Sequence, residues 1–393
     1  MGLSSRIATF VLGLAVLLAW LTDRHSLFLL TLKNHPSRLP QINAFADHKI
    51  VLADQIRNCE DVHLDEQRGF AILSCDPGRD TWNTVMGTFI NATNPGTLYL
   101  YNYASTTTPD EANLHPLPLH NFPAAQRQTF HPLGIAYHPS TGHLFVANHA
   151  PTGPTVEVFT LDYTNPQNPF LDHHKTITHP LLHGPNALLA VSPHELYITN
   201  DHRFIRRAHP FLAALETYIA YPGGTVVHAD LHSDRYKVVA HLPFANGVTA
   251  LNSTHLAVAS TTTPSVTVYR IDPTTKDLQA TLSLRVKFLV DNLSTDANGK
   301  LVMAGHPHIP ALGKVASTNW EVDYGGSGAG KPIGERPRAP SWVAEWDGNA
   351  EGKVVDLYVG EEFGSSSTAV RDVGRGVGIV SGLYERGVLV WRE

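Results

Sequence analysis

The sequence predicts an all-β fold, a six-bladed β-propeller preceded by an N-terminal hydrophobic helix. Three observations carry this expectation. Beyond residue 45 the apolar residues fall in short β-type runs punctuated by Gly, Pro, Asn and Asp, with 30 Gly and 27 Pro in 393 residues and no sustained helical period outside residues 211–220. A unit made of a polar or Gly-containing start, an apolar strand, a turn and a second apolar strand recurs at 131–149, 185–202, 245–260 and 291–306, and less regularly at 60–75 and 367–382. The four interior starts lie 54, 60 and 46 residues apart, the length of a four-stranded blade with its loops, so six such units account for residues 45–393 as one closed ring.

The first element is an uncharged run at residues 7–22, preceded by Arg6 and ended by Asp23, Arg24 and His25. As a helix the run spans about 24 Å, short of the roughly 30 Å hydrocarbon core. It therefore reads as a secretory signal or a short signal-anchor covering residues 1–32. No small-x-small cleavage pattern follows, and a second apolar stretch occupies 26–32, which favours retention at a membrane over removal. With Arg6 on the cytosolic side, the remainder lies in the lumen or outside, as a membrane-anchored or secreted propeller of the secretory pathway. Sequons begin at Asn91, Asn252 and Asn292, and Asn91 and Asn252 are the candidate glycosylation sites.

Next come Cys59 and Cys75, flanking two apolar runs joined by a turn near residues 66–69. A hairpin centred on residue 67 sets the two cysteines directly opposite, close enough for a disulfide, the alternative being two buried thiols. Between 310 and 340 the chain turns Gly/Pro-rich and breaks the repeat, which reads as an inserted loop.

Composition removes several function classes. With 42% hydrophobic and 16% charged residues the chain is not disordered. Lys+Arg 29 against Asp+Glu 35 gives a formal charge of −6 without a basic cluster, which excludes a nucleic-acid surface. Two cysteines cannot build a four-thiolate zinc site. The 23 histidines would carry the formal charge from −6 to +17 if all were protonated, most of them as solvated side chains.

The starts of the inner strands converge on one mouth of a propeller tunnel. Aligning them brings Glu60 and Asp61, Asn186, Asn246, and Asp291 with Asn292 together around that mouth. Any one Asn or Asp at a strand start is usually a turn cap. Their recurrence in phase points instead to a metal, and a ring of carboxylates and amides offers hard oxygen ligands that suit Ca²⁺ over zinc or copper.

The segments FHPLGI (130–135), VANH (146–149), ITNDH (198–202), FANGV (244–248), LVDNLS (289–294) and GHPH (305–308), in this order and at these spacings, resemble the serum paraoxonase/arylesterase family over roughly residues 45–393. The resemblance implies a six-bladed propeller holding a catalytic and a structural calcium, and hydrolysis of aryl esters and lactones. It implies that Glu60, Asn186, Asn246, Asp291 and Asn292 are ligands of the catalytic calcium, and that Asp61 and the carbonyl of Ile135 are ligands of the second. Such a calcium would bind the ester carbonyl and stabilise the oxyanion while a base activates water. The implied base is a histidine dyad whose second member is His149.

Three departures qualify that reading. The first dyad position holds Leu133, which cannot accept a proton, and His131, two residues earlier, is the candidate replacement. Ala187 stands where a carboxylate would serve the second calcium, so one calcium site is expected with a weakened or absent second. Trp391 stands where the family has a C-terminal cysteine, so ring closure must rest on strand pairing and packing. His202 and His306 could line the pocket, and no Gly-x-Ser-x-Gly elbow supplies a serine nucleophile. The expectation is a calcium-dependent arylesterase/lactonase-like hydrolase acting on a small ester or lactone. Its rivals are a catalytically impaired calcium propeller used for binding, and a sugar lactonase of the gluconolactonase/regucalcin type.

Overall fold

A computed structural model describes residues 3–328, 330–349 and 352–393, without the side chains of residues 3–12, 15 and 16. Six antiparallel sheets form the six blades of a propeller. Blade one comprises Cys59–Asp65, Phe70–Cys75, Thr97–Tyr101 and Leu114–Pro116. Blade two comprises Pro132–His138, His143–Asn148, Thr155–Asp162 and Phe170–Ile177, with Leu119–His120 added in parallel at its edge. Blade three comprises Pro185–Ser192, Glu195–Asn200, Gly224–Asp230 and Arg235–Leu242, and blade four Ala245–Asn252, His255–Ser260, Ser265–Ile271 and Leu278–Arg285. Blade five comprises Leu289–Thr295, Leu301–His306, Ser341–Trp346 and Val355–Gly360, extended by Ile42–Asn43. Blade six comprises Ser366–Asp372, Val377–Gly382 and Val388–Arg392.

Each recurring sequence unit is the inner hairpin of one blade. Inner strands such as Phe70–Cys75 and Leu301–His306 are buried along their whole length, whereas the outer Leu278–Arg285 alternates half-buried and exposed positions. A strand packed on both faces reads as an apolar run, and an edge strand needs only one apolar face.

The ring closes through Asp47–Val51, which pairs with Val388–Arg392 as the fourth strand of blade six. Trp391 is 2% exposed. Its ring stacks on Phe45, centroids 4.3 Å apart, so packing stands at the expected C-terminal position in place of a covalent link. Cys59 and Cys75 are register partners in the first hairpin and are joined by a disulfide, as the hairpin symmetry predicted.

The 310–340 segment is not the plain loop the sequence predicted. It inserts between the second and third strands of blade five and begins with the helix Ile309–Thr318. His308 caps that helix by accepting the Ala311 N–H, 3.2 Å, and Pro310 stands in its first turn. Leu312, Val315 and Ala316, at helical spacing, pack on Ala339, Leu383 and Tyr384. Gly313 and the surrounding Gly/Pro content hide this short apolar face in the sequence.

The N-terminal helix runs Leu3–Lys33. Its second half docks on the propeller rim, where Trp20 donates to the Ile219 carbonyl at 2.7 Å, Arg24 to Thr262 at 3.0 Å and Asn34 to Lys287 at 2.7 Å. Much of the predicted anchor lies among side chains outside the described residues. Among the described residues, no helix is long and apolar enough to cross a membrane.

Candidate functional site

The ring residues sit at register breaks. In the inner hairpins of blades one to five the pairing slips between Cys59 and Asp61, Pro132 and Ile135, Pro185 and Leu188, Ala245 and Val248, and Val290 and Leu293; blade six slips between Ser366 and Thr368. A bulge bends its strand and re-aims the extra side chain. Six in phase supply a ring of side chains that regular pleating would alternate between blade faces.

Glycine lets the blades close in around these bulges. A Cβ on Gly134 would lie 2.2 Å from the Asn186 carbonyl oxygen, and one on Gly247 would lie 2.6 Å from the Asn292 Cα. The inner strand of each of these blades thus rests directly on the main chain of the next ring strand.

Hydrogen bonds tie the ring together. Asn292 Nδ2 donates to Glu60 Oε1 at 2.8 Å and to the Thr368 hydroxyl at 3.0 Å; Asn246 Nδ2 donates to Asp291 Oδ1 at 2.7 Å and to Thr261 at 3.0 Å. His306 Nε2 meets Asp291 Oδ2 at 3.0 Å. With the amide nitrogens of Asn246 and Asn292 so used, four oxygens remain buried without a partner: Glu60 Oε2, Asn186 Oδ1, Asn246 Oδ1 and Asn292 Oδ1. Buried acceptors are normally satisfied, and four orphaned oxygens on residues at matching blade starts form a donor set that suits a cation. Burial and the neighbouring Asp61 and Asp291 carboxylates push the Glu60 carboxyl well above the usual range, while Arg79 opposes the rise. The residues fit a hard cation such as Ca²⁺. Among the described residues no three His, Cys, Asp or Glu side chains gather as a metal cluster, because amides supply most of the free oxygens here.

Asp61 is placed differently. Its carboxylate accepts the N–H groups of Val62 and Ile135, both at 2.8 Å, and the Thr368 hydroxyl at 3.0 Å. Neither oxygen is left without a partner. Ala187 adds no carboxylate and directs its N–H to Thr199 at 2.9 Å. The Asp61 and Ile135 pair is therefore joined by the chain's own donors.

His149 follows the second strand of blade two and is buried. Its Nε2 lies 2.6 Å from the Pro185 carbonyl, so Nε2 carries the proton and Nδ1, which meets the Thr84 hydroxyl, is the basic nitrogen. Pro185 precedes Asn186, which couples the histidine to the ring through one peptide. Burial, partly offset by the Pro185 bond and Asp201, lowers the His149 pKa. His149 lines a small cleft with Thr84, His183, Asp201, His202 and Phe204 among others, with about 50 Å³ of enclosed space and none of the ring side chains in its wall.

His131 is elsewhere engaged. Its Nδ1 meets Asp76 Oδ2 and its Nε2 the Ala92 carbonyl, each at 3.0 Å, leaving neither nitrogen open to water. Leu133 packs in an apolar cluster with Phe145, Val156 and Leu188. His202 bonds Thr217 at 2.7 Å, and His306 buttresses Asp291. Asn91 and Asn252 are exposed, whereas the sequon at Asn292 is buried within the ring.

Sequence reasoning missed Thr368, Thr84 and Arg79. Thr368 sits at the start of blade six's inner strand, in phase with the other ring residues, and phase was the signal that could have found it. Thr84 and Arg79 lie in the connection between Cys75 and Thr97, which has no repeat phase to read.

Comparison with known proteins gives a consistent result. The model of a family described as arylesterase matches residues 86–319, a span that includes Ile135, His149, Asn186, Asn246, Asp291 and Asn292. Serum paraoxonase/arylesterase 2 of Canis lupus familiaris is 36% identical over 186 residues, 46% of this chain and 50% of that protein. Serum paraoxonase/arylesterase 1 of Mus musculus is 34% identical over 190 residues, again 46% and 50%. The chain spans about half the length of these curated relatives. Among solved structures, a gluconolactonase from Xanthomonas campestris superposes with a TM-score of 0.51 at 13% identity, covering 91% of this chain and 95% of that one, an agreement of fold.

Proposed function

The chain belongs to the arylesterase family, and from that premise we propose that it is a calcium-dependent hydrolase of carboxylic esters or lactones, with a single calcium held by Glu60, Asn186, Asn246, Asp291 and Asn292. The observation that carries the proposal is the set of four orphaned oxygens on four of these five side chains. Calcium bound there would supply the positive charge that polarises the scissile carbonyl and stabilises the oxyanion.

The remaining work falls to the chain's own groups. With Nε2–H committed to the Pro185 carbonyl, His149 presents Nδ1 as proton acceptor once the rotatable Thr84 hydroxyl that meets it turns away, whereas both partners of His131 are fixed acceptors. Its lowered pKa keeps the imidazole neutral at physiological pH, as a base must be. The base form then persists below the ordinary imidazole range, and activity should fall only at still lower pH. Leu133, packed among Phe145, Val156 and Leu188, leaves the place of a second histidine without a proton acceptor.

Phenyl acetate, γ- and δ-lactones and sugar lactones, assayed with calcium, after chelation and after calcium is restored, test the reading. Turnover should vanish on chelation and return with calcium; turnover indifferent to chelation would defeat it. His149→Ala should cost about 10²- to 10⁴-fold in kcat with the calcium-dependent rise in melting temperature intact. The buried Leu133 favours one rival, a calcium propeller used only for binding, which predicts calcium stabilisation without turnover of any of these substrates.

The same proposal places the protein in the secretory pathway and at a membrane surface. The disulfide and the exposed Asn91 and Asn252 sequons support the first. For the second, exposed Leu14, Leu17, Leu18 and Leu21 lie on the helix that Trp20 ties to Ile219, beside exposed Phe211 and Tyr218 of the Pro210–Ile219 helix. Release of the expressed chain into the soluble fraction of cells, free of membranes, would count against the membrane contact.

A further inference from the structure

His35 and His308 are distant in the chain and meet where the end of the N-terminal helix reaches blade five. His35 is exposed and His308 buried, and their rings stand edge-on with centroids 5.3 Å apart. Each caps the helical turn that follows it. His35 Nδ1 accepts the Ser37 N–H at 3.3 Å, before the turn Pro36–Arg38, and His308 Nδ1 accepts the Ala311 N–H at 3.2 Å, before the helix Ile309–Thr318. Between the two, the buried Asn34 donates to the Lys287 carbonyl at 2.7 Å and to the Pro307 carbonyl at 3.2 Å. The end of the helix Leu3–Lys33 is thus fastened to the same short stretch from which Ile309–Thr318 starts.

An imidazole that accepts at Nδ1 is neutral and carries its proton on Nε2. Protonation turns Nδ1 into a donor, sets it against the backbone N–H it had accepted, and places a positive charge at the positive end of a helix dipole. The Ser37 hydroxyl, 2.9 Å from His35 Nδ1, can turn to accept from a charged His35, whereas the backbone N–H of Ala311 offers His308 no such exchange. No counter-charge stands by. The charged groups on the segments that meet here, Lys33, Arg38, Lys287 and Lys314, are all cations. Asp356 is paired with Lys287 at 2.9 Å and Asp291 with His306 at 3.0 Å, and among the described residues no carboxylate forms an ion pair with His35 or His308. Burial and His35 together hold the His308 imidazole below its ordinary value. The neutral contact is therefore at full strength above the ordinary imidazole range and is lost as pH falls through the lowered value.

We propose that the His35–His308 contact is an acid-sensitive latch, closed while both rings are neutral and opened when His308 takes up a proton, which frees the end of the N-terminal helix from blade five and loosens the start of Ile309–Thr318 with it. The chain beyond the latch stays in place. Leu39 is buried in an apolar cluster with Phe288 and Trp342, and Asp47–Val51 is a strand of blade six, so an open latch lets the helix swing from residue 39 without opening the ring. Ile309–Thr318 leads in turn to Asn319, whose amide donates to Asp80 at 2.6 Å, on the same connection as Thr84. An acidic compartment and a neutral one would then meet the same propeller with its leading helix free or docked.

Hydrogen exchange read by mass spectrometry on the full chain at saturating calcium, from about pH 7.5 to about pH 4.5 and expressed as protection relative to the intrinsic rate at each pH, tests the latch. Protection over residues 17–38 and 309–318 should fall by about tenfold or more across this range, two caps being lost together, while inner strands such as Leu301–His306 keep theirs. His308→Asn keeps a capping side chain that does not titrate, and both segments should then hold nearly constant protection. His308→Ala, without a cap, should show the low-pH exchange already at neutral pH. Protection in the wild type that does not change with pH overturns the proposal, as does a loss that persists undiminished in His308→Asn. A parallel loss in the inner strands overturns it too, since that is acid unfolding of the whole propeller. Should neither variant fold, the wild type decides alone: a latch requires both segments to open together while the inner strands stay closed.

Discussion

Asn246→Ala is expected to weaken calcium binding by about 100-fold or more and to take ester and lactone hydrolysis to background at micromolar calcium. Removing an outer-shell partner of a metal ligand already costs roughly 10–100-fold in affinity, and Asn246 fills both positions. Its Oδ1 is one of the four orphaned oxygens, and its Nδ2 holds Asp291 Oδ1 at 2.7 Å. Alanine therefore deletes one ligand and frees another. The measurement is the calcium concentration at the midpoint of thermal stabilisation, read beside activity. A variant that keeps the wild-type midpoint would place the cation elsewhere. Protons should compete at the same ring. Glu60 is shifted upward by burial and by Asp61 and Asp291, so it takes up a proton at a higher pH than an ordinary carboxylate. Calcium affinity should accordingly decline as pH falls through that raised value, and Glu60→Gln should flatten the decline.

Trp391→Ala should cost about 3–5 kcal/mol of stability, the usual range for deleting a fully buried aromatic side chain. The site has little means of collapsing into the gap. The indole stacks on Phe45, belongs to a cluster with Val343, Tyr358, Val380 and Leu389, and covers Gly378 so closely that a Cβ there would lie 1.9 Å from its ring. Three strands meet at this point, since His48 and Gly378 are the register partners of Trp391 on either side. The loss therefore falls on the closure of the ring as well as on local packing. Denaturant unfolding at saturating calcium would measure it, with Trp391→Phe expected to recover part of the difference. A change below about 1 kcal/mol would mean that strand pairing alone holds the last blade.

Much of this architecture was legible because inner propeller strands are buried on both faces. The six units stood out as apolar hairpins, and the cysteine pair could be placed by symmetry about residue 67. Outer strands such as Leu278–Arg285 carry a weaker pattern, and the fourth strand of blade six comes from residues 47–51, which no local window links to residues 388–392. In the site, Glu60, Asn186, Asn246, Asp291 and Asn292 were readable from their phase. His131 misled because alternation was assumed across a bulge: it precedes the strand Pro132–His138, whose register slips before Ile135, and its ring turns to Asp76. Thr84 and Arg79 were invisible because the loop carrying them has no repeat, and its contacts are fixed only in three dimensions.

The glycines at 134 and 247 give the proposed cation site a mechanical character. Their missing side chains let adjoining strands rest main chain against main chain, with distances that leave no slack for the blades to move inward. The ring then behaves as an aperture of fixed gauge rather than as jaws that tighten on their cargo. Calcium, which accepts oxygen ligands at about 2.3–2.6 Å in irregular numbers, suits such a frame. Magnesium demands six ligands drawn in to about 2.0–2.1 Å and would have to pull the frame itself out of shape. Ion choice would thus be written in the backbone contacts between blades as much as in the carboxylates and amides that face the ion.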